Sequence, residues 1–200
     1  MAMLLLPAAV GLVQAANNQA TRVAGGATVG DSNVFTVEVV TPGLVKEIRD
    51  TSGNILNGGN VVAGSDVYFV IYLDNTTALA LDDVRVRDFV DPTQFTIVNP
   101  LDPATFQILG TVATPGLQMN AANAAQWLQN GTGAGSWNAL TWNTLTPAQG
   151  DDQLDWNLTT ANEATLGAPN NLALTVPKSS APDPLAEPYR VAIRIKARVN

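Results

Sequence analysis

The chain has 200 residues, 17 acidic and 10 basic side chains for a net charge of −7, and neither Cys nor His. That composition removes disulfide staples, the usual zinc, copper and haem ligand sets, and every Ser-His-Asp or Cys-His catalytic arrangement. The negative balance is the wrong sign for a nucleic-acid surface, while 46% hydrophobic against 14% charged residues is enough to fill one large core.

Residues 3–13 are apolar and run into Val13-Gln14-Ala15-Ala16, the form of a short export segment with a small-residue cleavage site. The run is about half of what a membrane-crossing helix needs, so no span is expected in the mature form. Residues 15–32 are small and polar, with Gly25, Gly26 and Gly30, and read as a flexible leader. The expected organisation is an extended N-terminal segment over 1–33 and a single sandwich domain over 34–200.

Residues 34–40, VFTVEVV, form the first clean strand pattern. Val39 joins Phe35 and Val37 on one face, opposite Thr36 and Glu38, because strand side chains alternate. Residues 44–48 predict a second strand, and the clusters at 50–54 and 57–60 are turns around Ile55 and Leu56. Residues 61–92 organise the rest. Val67 to Leu73 is a β-branched and aromatic run of strand length, and residues 74–77 break it. Val84-Arg85-Val86-Arg87 then alternates, with the valines inward and the arginines outward.

From residue 93 to about 188 the rhythm loosens into an irregular insertion. Strands are expected over 94–98, 105–112, 154–158 and 172–176, and Trp137, Trp142 and Trp156 sit in strand-like contexts. Residues 120–129 predict the one short helix, with Asn120 as its cap and Gly131 as its stop. The Gly-rich residues 131–136 lack the lysine of a phosphate loop and follow a helix instead of opening one, which excludes nucleotide binding. Pro182, Pro184 and Pro188 stiffen the connector to the final strand. That strand, 189–199, puts Val191, Ile193, Ile195 and Ala197 on one face and Arg190, Arg194, Lys196 and Arg198 on the other. It reads as an edge strand with a solvated basic face. The sharper reading is a ribbon that meets an acidic surface on a neighbouring subunit. The pattern as a whole predicts an all-β protein, an Ig-like or Greek-key β-sandwich.

Gly64, Tyr68, Ile71, Asn75, Val84, Val86, Asp88 and Pro92 follow one another as a turn, an apolar strand with Tyr, an Asn, and a V-x-V-x-D strand closing at Pro. In this the chain resembles the Ig-like prokaryotic surface-protein repeat family called domain of unknown function eleven. Residues 44–46 and the last strand fit the same pattern, while residues 93–186 exceed that family's usual unit. The resemblance implies an Ig-like fold on an extracellular protein and carries over no catalytic residue.

Carboxylates gather at Asp82, Asp83, Asp88 and Asp91, and at Asp151, Asp152 and Asp155. Paired acids serve glycosidases and calcium sites. Without a D-x-D-x-D-G loop they read first as solvated turns, with Asp82, Asp83, Asp151, Asp152 and Asp155 the weak calcium candidates. No other cofactor and no enzyme activity is expected. The four tryptophans read as buried anchors in preference to a sugar-stacking platform. Asn75, Asn130 and Asn157 open glycosylation sequons. The expected function is a secreted or cell-surface structural subunit, assembling with copies of itself into a filament or pilus-like fibre. Its N-terminal extension would add to a neighbour's sheet as a donor strand through Val34, Phe35, Val37 and Val39. The alternative is a secreted adhesin-like or carbohydrate-binding module that uses the Trp-rich middle.

Overall fold

Apolar and charged residues alternate along residues 189–199, and in the computed structural model that segment is the spine of the fold. The structure describes residues 43–200 apart from 78, 98, 132, 149, 158–161, 168–170 and the side chain of Asn157. Of the first 42 residues it describes the backbone of four strands. The chain divides into two units, Met1–Thr41 and Pro42–Asn200.

The first unit holds β1 (Ala15–Asn18), β2 (Thr21–Ala24), β3 (Ala27–Asp31) and β4 (Phe35–Glu38). β1 pairs antiparallel with β4, and β2 with β3. Two expectations change here. The supposed flexible leader carries three paired strands, and the strand expected to open the sandwich belongs to the first unit, so the boundary falls after Thr41 and not at residue 33. Val34, Val39 and the export-like residues 3–13 lie outside the described residues.

The second unit is an all-β sandwich with, among its described residues, one α-helix. Its strands are β5 (Gly43–Asp50), β6 (Asp66–Asn75), β7 (Leu81–Val84), β8 (Val86–Phe89), β9 (Phe95–Thr96), β10 (Phe106–Leu109) and β11 (Leu117–Gln118), then β12 (Trp142–Thr144), β13 (Leu154–Asn157), β14 (Glu163–Leu166), β15 (Leu174–Val176) and β16 (Tyr189–Val199). The helix α1 spans Ala121–Leu128. The large sheet runs β12-β10-β16-β6-β5, with β11 and β9 also pairing with β16. Facing it are the sheets β13-β14-β8 and β15-β7.

β16 pairs with β6 from Tyr189↔Asn75 to Arg198↔Asp66, and its other side is taken by β10, β11 and β9. It is therefore a central strand, and the edge-strand expectation is corrected. The error lay in reading charge as exposure: an alternating strand is also what results when a second layer covers the charged face. The odd-numbered residues of β6 and β16, Phe69, Ile71, Val191, Ile193 and Ile195, join Phe106 and Ile108 against Leu154, Trp156, Leu166, Leu174 and Val176 of the facing sheets. On the opposite face Tyr68, Val70 and Ala192 lie under Met119, Trp127, Trp137 and Leu140. β6 is thus covered on both faces, which explains a run without polar interruption from Val67 to Leu73.

Val84 and Val86 pack on the core while Arg85 and Arg87 stay exposed, as alternation requires. The segment nevertheless splits, because β7 pairs with β15 and β8 with β14. Asp83, at φ +54°, and Gly167, at φ +80°, lie on either side of that switch. The α1 cap is as expected: the Asn120 side chain accepts the Asn123 N–H at 2.9 Å. The helix stops at an extended Gln129, before Gly131. Trp137 falls in a 3-10 turn, Trp137–Ala139, and not in a strand.

Candidate functional site

On the covered face of the large sheet, three arginines interleave with three indoles. The Arg190 guanidinium lies 4.2 Å from the Tyr72 ring centre and 4.5 Å from that of Trp127. Arg49 sits 5.0 Å from Trp127 and 5.0 Å from Trp137. Arg194 sits 4.9 Å from Trp137, 4.4 Å from Trp142 and 4.8 Å from Tyr68. The order is Arg190, Trp127, Arg49, Trp137, Arg194, Trp142. Strand alternation explains it: Arg49 of β5 and Arg190 and Arg194 of β16 all point to the α1 side, and α1, the 3-10 turn and β12 supply the indoles. Each desolvated stack of this kind contributes on the order of 1–2 kcal/mol.

Charge compensation along the stack is uneven. Arg49 is fully buried and donates to Glu47 Oε2 from Nη2 at 2.8 Å and from Nε at 3.0 Å, and to the Trp127 carbonyl at 2.9 Å. Tyr72 donates its hydroxyl to the other Glu47 oxygen at 3.1 Å. Burial, and then the Glu47 charge, push the Tyr72 phenol up to about 12. Arg190 grips Asp74 with two 2.7 Å bonds. Among the described residues Arg194 has no carboxylate partner; Gln107 and Asn138 side-chain oxygens accept from it at 2.7 and 3.3 Å. Burial lowers Arg194 to about 10, which leaves it a cation at neutral pH.

Farther along β16, Lys196 and Arg198 share Asp66 at 3.2 and 2.8 Å, and the Arg198 bond holds that carboxyl below its ordinary value. All four cations of the ribbon therefore have polar partners inside the chain. The expected solvated basic face is corrected at Arg190 and Arg194, the latter 7% exposed beneath the indole layer, while Arg198 at the far end stays exposed.

The indoles are anchors. Trp127, Trp137 and Trp156 are buried and Trp142 is half-buried, so the described residues present no open indole platform for a sugar. Most of the carboxylate candidates tie down nearby chain. Asp82 accepts from Thr175, and Asp83 pairs with Arg85. Asp151 accepts from the Thr146 hydroxyl, and both Asp152 oxygens accept backbone N–H groups, from Thr146 and Leu154. Burial raises the carboxyls of Asp152 and Asp155. Among the described residues no three acidic side chains converge as metal ligands. Of the sequons, Asn75 is fully buried and donates to the Leu79, Val176 and Pro177 carbonyls, Asn130 is exposed, and the Asn157 side chain lies outside the described residues.

The opening in this arrangement is the outer margin of β5. One side of β5 pairs with β6 throughout. On the other, the Ile48 N–H donates to Asn57 Oδ1 and the Ile48 carbonyl accepts from Leu56 N–H. Backbone groups two residues apart on a strand point the same way. Those of Leu44 and Lys46 therefore point outward as well, and they have no partner among the described residues. Leu44 is 58% and Val45 37% exposed. Lys46, whose charge would normally guard such a margin, is folded back onto Asp88 with bonds of 2.7 and 2.9 Å. On the α1 side a cleft of about 200 Å³ runs from Glu47 of β5 across Tyr72 of β6 to Pro188 and Arg190 at the start of β16, under Trp127 and Leu128.

Sequence reasoning missed Glu47, Arg49 and Asp74. The available signal was Glu47 and Arg49 on alternate positions of one strand, an opposite-charge pair on one face. No protein-family model, curated protein or solved structure matches this chain.

Proposed function

We propose that the protein is a non-catalytic structural subunit of an extracellular filament or pilus-like fibre, its copies joined by adding a strand to the open margin of β5. The carrying observation is the outward backbone of Leu44 and Lys46, without partners among the described residues on a margin whose lysine is turned away. An unguarded strand margin is the usual receptor for strand addition. The donor is the β4 segment of a second copy. Among the described residues β1 and β4 pair only with each other, and a two-stranded ribbon is marginal by itself in water, so β4 can engage a neighbour. Donor and receptor are different surfaces of the same chain, so the contact is head-to-tail and propagates into a fibre. The export-like residues 3–13 support placement outside the cell.

Leu44→Pro tests this reading. It deletes an outward N–H and leaves the bonds from β5 to β6 in place. Sedimentation and negative-stain microscopy should show polymers of the parent chain and monomers of the variant. A variant that polymerises like the parent removes the proposal.

A further inference from the structure

We infer that the cleft beside β5 is the side-chain socket of this strand addition and that it takes Phe35 of a second copy. The inference rests on the reading just given and adds the residue that sets partner and register.

A strand laid against β5 inherits the two faces of the large sheet. On β5, Val45, Glu47 and Arg49 face α1, whereas Leu44, Lys46 and Ile48 face the sandwich interior. An incoming strand therefore meets Val45 and the cleft on one side, and the Lys46–Asp88 pair on the other. The wall of the cleft is aromatic and cationic, with Tyr72, Trp127 and Arg190, and Leu128 stands at its rim 68% exposed. Arg190 is already stacked between Tyr72 and Trp127, so the share of this wall nearest the margin is apolar and aromatic and favours an aromatic side chain, which takes up apolar area.

In β4 the sequence FTVE alternates Phe35 and Val37 with Thr36 and Glu38. Turning the apolar row toward α1 sets Phe35 at the aromatic cleft and brings Glu38 to the side of Lys46, whose ammonium has a donor to spare. The reverse placement sets Glu38 among Trp127 and Leu128 and Val37 against an ion pair. Matching apolar with apolar and charge with charge selects the first arrangement. Phe35 is also the only aromatic residue in β4.

The test uses the full chain and sedimentation velocity over a concentration series. Phe35→Ala and Leu128→Asp should each weaken self-association about tenfold or more, and Leu128→Asp should leave the thermal melt unchanged because Leu128 is a surface side chain. Ala124→Phe, which fills the cleft, should weaken it similarly, and Phe35→Ala in the same chain should then cause little further loss. If Phe35→Ala and Leu128→Asp associate like the parent while Leu44→Pro stays monomeric, strand addition stands and the socket is wrong. If Leu44→Pro also associates like the parent, or the parent is monomeric at every concentration, both fall.

Discussion

Arg49 shows how a buried charge is tolerated in this fold. Its guanidinium is between two indoles, bonded to Glu47 and to the Trp127 carbonyl, with no exposure to solvent. Removing one member of a buried pair strands the other, at about 3 kcal/mol. Arg49→Met should lower unfolding free energy by that amount in urea titrations, and Glu47→Gln in the same chain should restore part of it. Tyr72 gives the pH counterpart. Its folded pKa is about 12 against 10.0 for an ordinary tyrosine, so the unfolded chain loses this proton first. The stabilisation it reports is whole below pH 10 and is lost as pH rises toward 12. Denaturation at stepped alkaline pH should show that decline, and Tyr72→Phe should flatten it. Little of this was legible at residue level. Glu47 and Arg49 show an opposite-charge pair on alternate positions, but the expected strand 44–48 stops short of Arg49, and the partners that bury them, Trp127 and Trp137, are some 80 residues away in sequence and join only through tertiary packing.

At the scale of elements, the strands with long unmixed patterns were readable and the short ones were not. Tyr189–Val199 and Asp66–Asn75 declare themselves by alternation or by an uninterrupted apolar run. β14 has only Ala164 and Leu166 to show inward, and pairing with β8 and β13 makes it a strand. The 3-10 turn of Trp137 likewise owes its position to the arginines it stacks between. The sequence also marked Val84 to Arg87 as one strand, whereas tertiary pairing breaks it at Arg85. Gly167 makes that break possible: a Cβ there would strike the Val84 carbonyl, and its φ of +80° disfavours any side chain. Gly167→Ala should therefore destabilise the unit by about 2 kcal/mol. Hydrogen exchange should show protection lost first at β7 and β15, the pair held beside that contact.

For the whole molecule, the two units imply a division of labour that can be separated. The Pro42–Asn200 unit contains both apolar clusters and the entire arginine–tryptophan stack. It has what a sandwich requires for independent stability, several strands with a covered face and a closed core. A chain beginning at residue 42 should therefore fold alone, with a cooperative urea transition and a near-UV spectrum dominated by the packed indoles. It retains the receptor margin at Leu44 and Lys46 and lacks the donor, so strand addition requires it to remain a monomer at concentrations where the full chain polymerises. Mixed in excess with full chains it should cap growing ends and shorten fibres, because it accepts a strand and offers none. Fibres of unchanged length in its presence would mean that the joining surfaces lie elsewhere on the sandwich. Fibres built from the short chain alone would mean that Met1–Thr41 is not the donor.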